Sequence, residues 1–258
     1  MKVYIHADME GISGINGSFF VKRDGQYYDR GCNYFVDDVN ACIRGCVKVG
    51  ADEIIVVDTH GGGMNIDWAK LNTSAELVRP GGTGKRFADI VNSDALILLG
   101  YHAMAGTDEA FLEHTYSSAT VQNIWINGKK FGEFGIDAAI AGEYNVPVVM
   151  VSGDDKICRE ARELIPAIVT CQVKKSYSTE GCRLVPPDKA HKLIEEKTIE
   201  ALSKIDEIKA FEIKSPIAWR VEHVERCGIR KDKDVKIIDA RTSEMMVSSV
   251  EHALMTFL

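Results

Sequence analysis

MKVYIHADMEGISG, residues 1–14, decides how the chain is built. The run Val3–Ala7 reads as a strand buried on both faces, the kind found inside parallel sheets. It ends in Asp8, with Glu10 just beyond and Gly11 and Gly14 loosening the turn. No lysine or arginine stands beside the two acids. Carboxylates held that close repel unless positive charge lies between them.

The same design recurs further along. DEIIVVDTH (52–60) is a second buried strand ending in Asp58 and His60, DALILLGYHA (94–103) a third ending in His102, and VPVVMVSGDD (146–155) a fourth. Helical patterns separate them: residues 27–50 with Gly50 as C-cap, a short helix at GKRFADIVN (84–92), GIDAAIAGEYN (135–145), and CREARELI (158–165) stopped by Pro166. NIWINGKKFGEFG (123–135) alternates about Asn127-Gly128, a strong hairpin signal. After Pro166 the texture changes. IVTCQVKKSYS (168–178) and KAFEIKSPIAWRVEH (209–223) read as antiparallel strands, a helix follows Pro187, and SEMMVSSVEHALMTFL (243–258) reads as a helix capped by Ser243. The expected fold is α/β: a mainly parallel sheet flanked by helices, with a C-terminal subdomain containing antiparallel strands. The expected division is 1–165, the metal-binding unit, and 166–258, packed on it.

Composition narrows the function. The chain has 258 residues, 45% apolar and 27% charged, with net charge −7. No basic stretch suggests a nucleic-acid partner. No apolar run reaches membrane-span length, and the N-terminus lacks a secretory pattern, so a cytoplasmic protein is expected. The seven cysteines are scattered without a C-x-x-C, and read as packing residues in a reducing compartment. Cys42 and Cys46 would share a helix face; a thiolate zinc site there is the lesser reading.

The chemistry collects at strand ends. Ligands of open α/β sheets bind beyond the carboxyl ends of the strands. Asp8, Glu10, His60 and His102 would meet there. One strand-end histidine is ordinarily a core hydrogen-bonding group. Consecutive strands all ending in carboxylate or imidazole point instead to metal. Oxygen and nitrogen donors without thiolate suit zinc, with manganese or cobalt as alternatives. The donor count allows two ions, and a carboxylate shared between them would explain Asp8 beside Glu10. His114, in EHTYSS (113–118), and Glu133, between Gly132 and Gly135, are further candidates. Taken singly, one would be a surface histidine and the other an acid at a helix start. Asp58 and Asp154 are candidates to orient the imidazoles, or else caps of turns and helices. PGGTGKRF (80–87) is not a phosphate loop: Arg79 replaces its first glycine and Arg86 the following hydroxyl residue. THGGGMN (59–65) lacks dinucleotide spacing.

DMEGISG (8–14), VVDTHGGGMN (56–65), LLGYHAMAG (98–106), EHTYSS, INGKKFGEFG (126–135) and VPVVMVSGDD, in that order, resemble the DppA-type D-aminopeptidases, the M55 metallopeptidase family. The resemblance is dense to about residue 165 and thinner beyond. It implies two zinc ions per chain held by Asp8, Glu10, His60, His102 and Glu133, with Asp8 as the bridge and His114 as the catalytic histidine. It also implies small peptide substrates with an N-terminal D-residue, typically D-alanine, and a homodecameric ring with sites facing an inner chamber. The rival readings are another metal-dependent amidohydrolase, an L-aminopeptidase, a phosphoesterase, or a non-catalytic metal- or peptide-binding protein. A spare imidazole at His114 argues against the last. The lack of an arginine near the ligand motifs argues against phosphate.

Overall fold

The computed structural model describes residues 1–226, 229 and 234–257. Along the chain run β1 (Lys2–Ala7), α1 (Tyr28–Lys48), β2 (Glu53–Asp58), β3 (Glu76–Val78), β4 (Ala95–Leu99), β5 (Val121–Ile126), β6 (Lys129–Phe131), α2 (Glu133–Glu143), β7 (Val148–Gly153) and α3 (Asp155–Leu164). Then come β8 (Val169–Gln172), β9 (Lys174–Ser178), β10 (Gly181–Leu184), α4 (Pro187–Ser203), β11 (Ile217–His223), β12 (Val235–Ile237), β13 (Thr242–Val247) and α5 (Val250–Phe257).

The main sheet is parallel, in the order β3-β2-β1-β4-β7-β8. Its central strands are apolar on both faces because helices cover them; β4 is buried along its whole length. α3 and α4 both lie against β7 and β8, and α1 packs on α4. β1 sits between β2 and β4, so the chain winds outward in both directions from the β1/β4 gap. That gap is where this class of sheet opens a crevice. In register, Ala7 faces Asp58 on one side and Leu99 on the other. The residues following β1, β2 and β4 therefore emerge side by side.

A second, antiparallel sheet runs β12-β13-β11-β5-β6. Its β5–β6 hairpin turns at Asn127 and Gly128, both left-handed (φ 51° and 80°), as a two-residue hairpin turn requires. β9 and β10 form a separate hairpin.

Several local expectations change. Residues 84–92 form turns, not a helix: Asp89 and Asn92 adopt left-handed φ of 67° and 62°, which interrupts helical hydrogen bonding although Phe87 and Ile90 are buried. The expected helix from Ser243 begins only at Val250; Ser243 itself lies in β13, opposite Val221. Within IVTCQVKKSYS, β8 joins the parallel sheet as its edge, and only β9 is antiparallel. Both sheets cross the boundary at 165, since β8 lies beyond it and β5–β6 before it. Cys42 and Cys46 are buried free thiols, as are Cys158 and Cys171, while Cys32 and Cys182 are half-buried and free. Cys227 lies outside the described residues.

Candidate metal centre

Asp8 follows β1 and donates its backbone N–H to the Leu99 carbonyl (2.8 Å). That pins it between the neighbouring strand ends. Its two carboxylate oxygens face opposite ways. Oδ1 lies 3.3 Å from His60 Nδ1, and Oδ2 lies 3.4 Å from His102 Nε2. Glu10 Oε2 is 3.1 Å from the same His60 nitrogen. On the other side, Glu133 Oε1 is 3.3 Å from His102 Nε2 and 3.7 Å from His114 Nε2. The side chains thus fall into two donor groups, Asp8–Glu10–His60 and His102–His114–Glu133, whose ligand atoms lie within 4.8 Å of one another in each. Neither contains a cysteine, so the thiolate alternative finds no support among the described residues.

The imidazoles are each fixed through the ring nitrogen that faces away from the carboxylates. His60 turns Nε2 to the Val21 carbonyl (2.8 Å), His102 turns Nδ1 to the Ala103 carbonyl (3.1 Å), and His114 turns Nδ1 to the Leu112 carbonyl (2.9 Å). A carbonyl can only accept, so each ring spends its N–H there and aims a lone pair at carboxylates. Lone pair facing anion is repulsive without a cation. Metal-binding histidines are held in this manner. His102 Nε2 is moreover fully buried with no hydrogen-bond partner among the described residues, an orphan that a metal ion would satisfy. With no cation, the proton must serve instead. Burial opposes charge on His60, but Glu10 and Asp8 outweigh it and push the imidazole up to about 12. His102 moves the same way, against its burial, under Glu133 and Asp8. Burial would raise Asp8, yet His102 and His60 hold it well below the usual carboxylate range. Asp8, Glu10, His102 and Glu133 are buried and His60 nearly so. The donor chemistry, the orphan nitrogen and the lone-pair orientation fit divalent-cation binding.

Local sequence explains the geometry. Gly61, Gly62 and Gly63 all take left-handed φ (54°, 85° and 81°), which only glycine adopts freely in succession. The chain reverses there, letting Asn65 and Ile66 donate backbone N–H groups to Asp58 Oδ2 (2.5 and 3.1 Å). Asp58 thus grips its own loop and does not touch a ligand ring. Asp154 caps α3, accepting from Lys156 and Ile157 N–H. For both, capping is the role the structure gives, not imidazole orientation. Gly11 donates N–H to the Gly100 carbonyl (2.7 Å), bringing the loops after β1 and β4 into backbone contact.

Two features were not foreseen. Lys174 is buried and donates to the carbonyls of Glu10 and Ile15 (both 2.8 Å), clamping the Glu10 loop; burial depresses its ammonium to about 8. The second is a buried polar cluster on α2. Asp137, one helical turn after Glu133, takes Arg86 Nε and Nη2 (2.9 and 2.8 Å) and the hydroxyls of Tyr101 and Tyr116 (2.5 and 3.1 Å). Tyr116 also donates its backbone N–H to Glu133 Oε1 (2.7 Å). Arg86 therefore lines the same cavity of about 510 Å³ as Asp8, Glu10, His60, His114 and Glu133. The expectation that no arginine stands near the site is corrected. The signal lay in the sequence only as Arg86 and Asp137, far apart and unremarkable singly.

The profile of the family Peptidase M55, D-aminopeptidase, matches residues 1–258. A D-aminopeptidase of Bacillus subtilis (strain 168) is 37% identical over 213 residues, 81% of this chain and 76% of that protein. The solved structure of the Zn-dependent D-aminopeptidase DppA from Bacillus subtilis, described as a self-compartmentalizing protease, has a TM-score of 0.92 and 30% identity, over 99% of this chain and 97% of that one.

Proposed function

The chain belongs to the M55 D-aminopeptidase family, and we propose that it is a two-zinc aminopeptidase releasing an N-terminal D-residue, D-alanine in type, from small peptides. The observation that carries the metal count is Asp8, with one oxygen turned to each donor group. Asp8, Glu10 and His60 would hold one ion, and Asp8, His102 and Glu133 the other. Zinc is the first choice from the donor set and from the Zn-dependent relative; manganese and cobalt suit the same donors.

When bound, the ions supply Lewis acidity at the scissile carbonyl and an acidified water. The chain supplies the rest. His114 is the most exposed of the three histidines, at 18%, and its free Nε2 lies farther from carboxylate than that of His102. We assign it proton transfer: Nε2 takes a proton as water attacks and returns it to the leaving amine. Its ring stacks on His102, with centroids 4.0 Å apart and planes 10° apart, and Nδ1–H is fixed on Leu112, so the base is oriented before substrate arrives. The walls, with Glu113 and Glu180, favour the ammonium end of a peptide.

We further propose a cytoplasmic homo-oligomer, a decamer by family resemblance. Phe19, Met64 and Trp68 are largely exposed and would gain from a partner surface. No helix among the described residues is long and apolar enough to cross a membrane. The deciding experiment is hydrolysis of matched D- and L-alanyl amides by zinc-loaded protein, with metal content measured on the same sample. Equal turnover of both enantiomers would remove the D-specific reading; no turnover of either would remove the peptidase.

A further inference from the structure

Arg86 stands at a junction. It lines the metal cavity and also a side cavity of about 390 Å³ whose walls include Tyr116, Ser117, Thr120, Val121, Leu254 and Met255. Tyr116 and Ser117 line both as well, so the two spaces adjoin along this edge. Their chemistry differs. The metal cavity carries Glu113 and Glu180 beyond its donor carboxylates, whereas no carboxylate among the described residues lines the side cavity.

Two donors at the junction have protons to spare. Arg86 gives Nε and Nη2 to Asp137 and lies over the Tyr116 ring at 5.3 Å, which fixes the guanidinium plane. Its Nη1 donates no hydrogen bond among the described residues. Ser117 Oγ accepts both the Thr120 hydroxyl (2.7 Å) and the Thr120 N–H (3.2 Å), so its own proton is left to point elsewhere. An immobilised guanidinium edge and a hydroxyl lining the same junction suit a carboxylate.

We propose that Arg86 and Ser117 form the subsite for the C-terminal carboxylate of the substrate, with the side cavity receiving the C-terminal residue, whose amine is the leaving group. This rests on the aminopeptidase reading and specifies it. The peptide lies with its ammonium end among the acids of the metal cavity and its carboxylate end at the junction, so the substrate class is short peptides with a free carboxylate on the C-terminal residue. The apolar wall of Val121, Leu254 and Met255 favours a small aliphatic side chain there.

The test compares kcat and KM for a D-alanyl dipeptide and its C-terminal amide, using the zinc-loaded protein. A carboxylate bound by charge-assisted hydrogen bonds should give the free acid roughly a ten- to hundredfold advantage in kcat/KM. Ser117→Ala removes one donor without touching the buried cluster. It should bring the acid-to-amide ratio down several-fold, chiefly through KM for the acid, with zinc content unchanged. Arg86→Lys should collapse the ratio toward one. If that variant misfolds, Ser117→Ala decides alone. Equal handling of acid and amide by the wild type, or an unchanged ratio in Ser117→Ala, overturns the subsite. Failure to cleave either compound would sink the peptidase reading itself, and the subsite with it.

Discussion

Gly11→Ala probes the metal centre without altering a single donor. A Cβ at position 11 would lie 2.1 Å from the Tyr101 carbonyl oxygen and 2.5 Å from the Gly100 carbonyl carbon. Ordinary contact begins at 3.4 Å, so relief requires the loops after β1 and β4 to part by 3.4 − 2.1 = 1.3 Å. The obstructing atoms are backbone and cannot swing aside as a side-chain tip would. Glu10 precedes the substituted residue and His102 follows Tyr101, so the strain is applied between the two donor groups. Asp8 spans them with contacts of 3.3 and 3.4 Å and cannot follow both. A misplacement of about 1 Å at a reacting centre costs on the order of 10²-fold in rate, and overpacking costs about 1–3 kcal/mol of stability. The expected result is a folded protein with reduced zinc retention after dialysis and kcat/KM lowered at least a hundredfold. Elemental analysis, circular dichroism and kinetics on one preparation would show it. A variant that keeps its full zinc load and near-normal turnover would refute the claim that backbone contact at Gly11 sets the donor spacing.

Replacing His114 by alanine should preserve zinc and fold while lowering turnover by roughly 10²–10⁴, whereas His102→Ala should lose metal and activity together. If His114→Ala sheds metal equally, that residue is a ligand. Arg86→Met, which leaves Asp137 buried without its counter-charge, should destabilise the protein by about 3–5 kcal/mol in denaturant titration; a change under about 1 kcal/mol would mean the tyrosyl hydroxyls suffice. Among the described residues, buried Glu160 accepts only the Met104 N–H (2.9 Å) and leaves Oε1 unpartnered; burial lifts it to about 7. The folded state then binds that proton more tightly than the unfolded one. Its contribution is present below the ordinary value of 4.5 and is lost as pH rises through 7. In metal-free protein, Glu160→Gln should therefore match the wild type near pH 4.5 and exceed it by up to about 3 kcal/mol above pH 7. Equal melting curves at pH 8 would show that Glu160 is not strained.

The parallel core was legible because buried strands write themselves as uninterrupted apolar runs, and Asp8, His60 and His102 were legible because each ends one. Glu133 and His114 were harder. A helix-start acid and a loop histidine have ordinary explanations, and only the order of several motifs singled them out. The Arg86–Asp137–Tyr116 cluster could not be read at all, since its members come from three separate segments and meet only in space. Residues 243–249 misled because a short apolar run such as EMMV fits helix and strand equally; pairing with β11 decided it. GKRFADIVN carries helix-compatible apolar spacing, and its left-handed Asp89 and Asn92 are conformations these two residue types tolerate in turns as readily as helix.

The antiparallel sheet also bears on how the protein is made. Every proposed metal donor has been synthesised once residue 133 is translated. The hairpin leading into α2 is another matter. β5 can finish its ladder only with β11, where Trp219 lies opposite Ile126 and Val221 opposite Ile124. Until that late strand is synthesised, Glu133 and the Tyr116 loop that holds it hang from a two-stranded ribbon, which is marginal in water. Pairing across so long a stretch of chain is slow. On the two-metal proposal, the nascent polypeptide would carry Asp8, Glu10, His60 and His102 on the parallel sheet well before Glu133 is anchored, and completing the site would be a late event in folding.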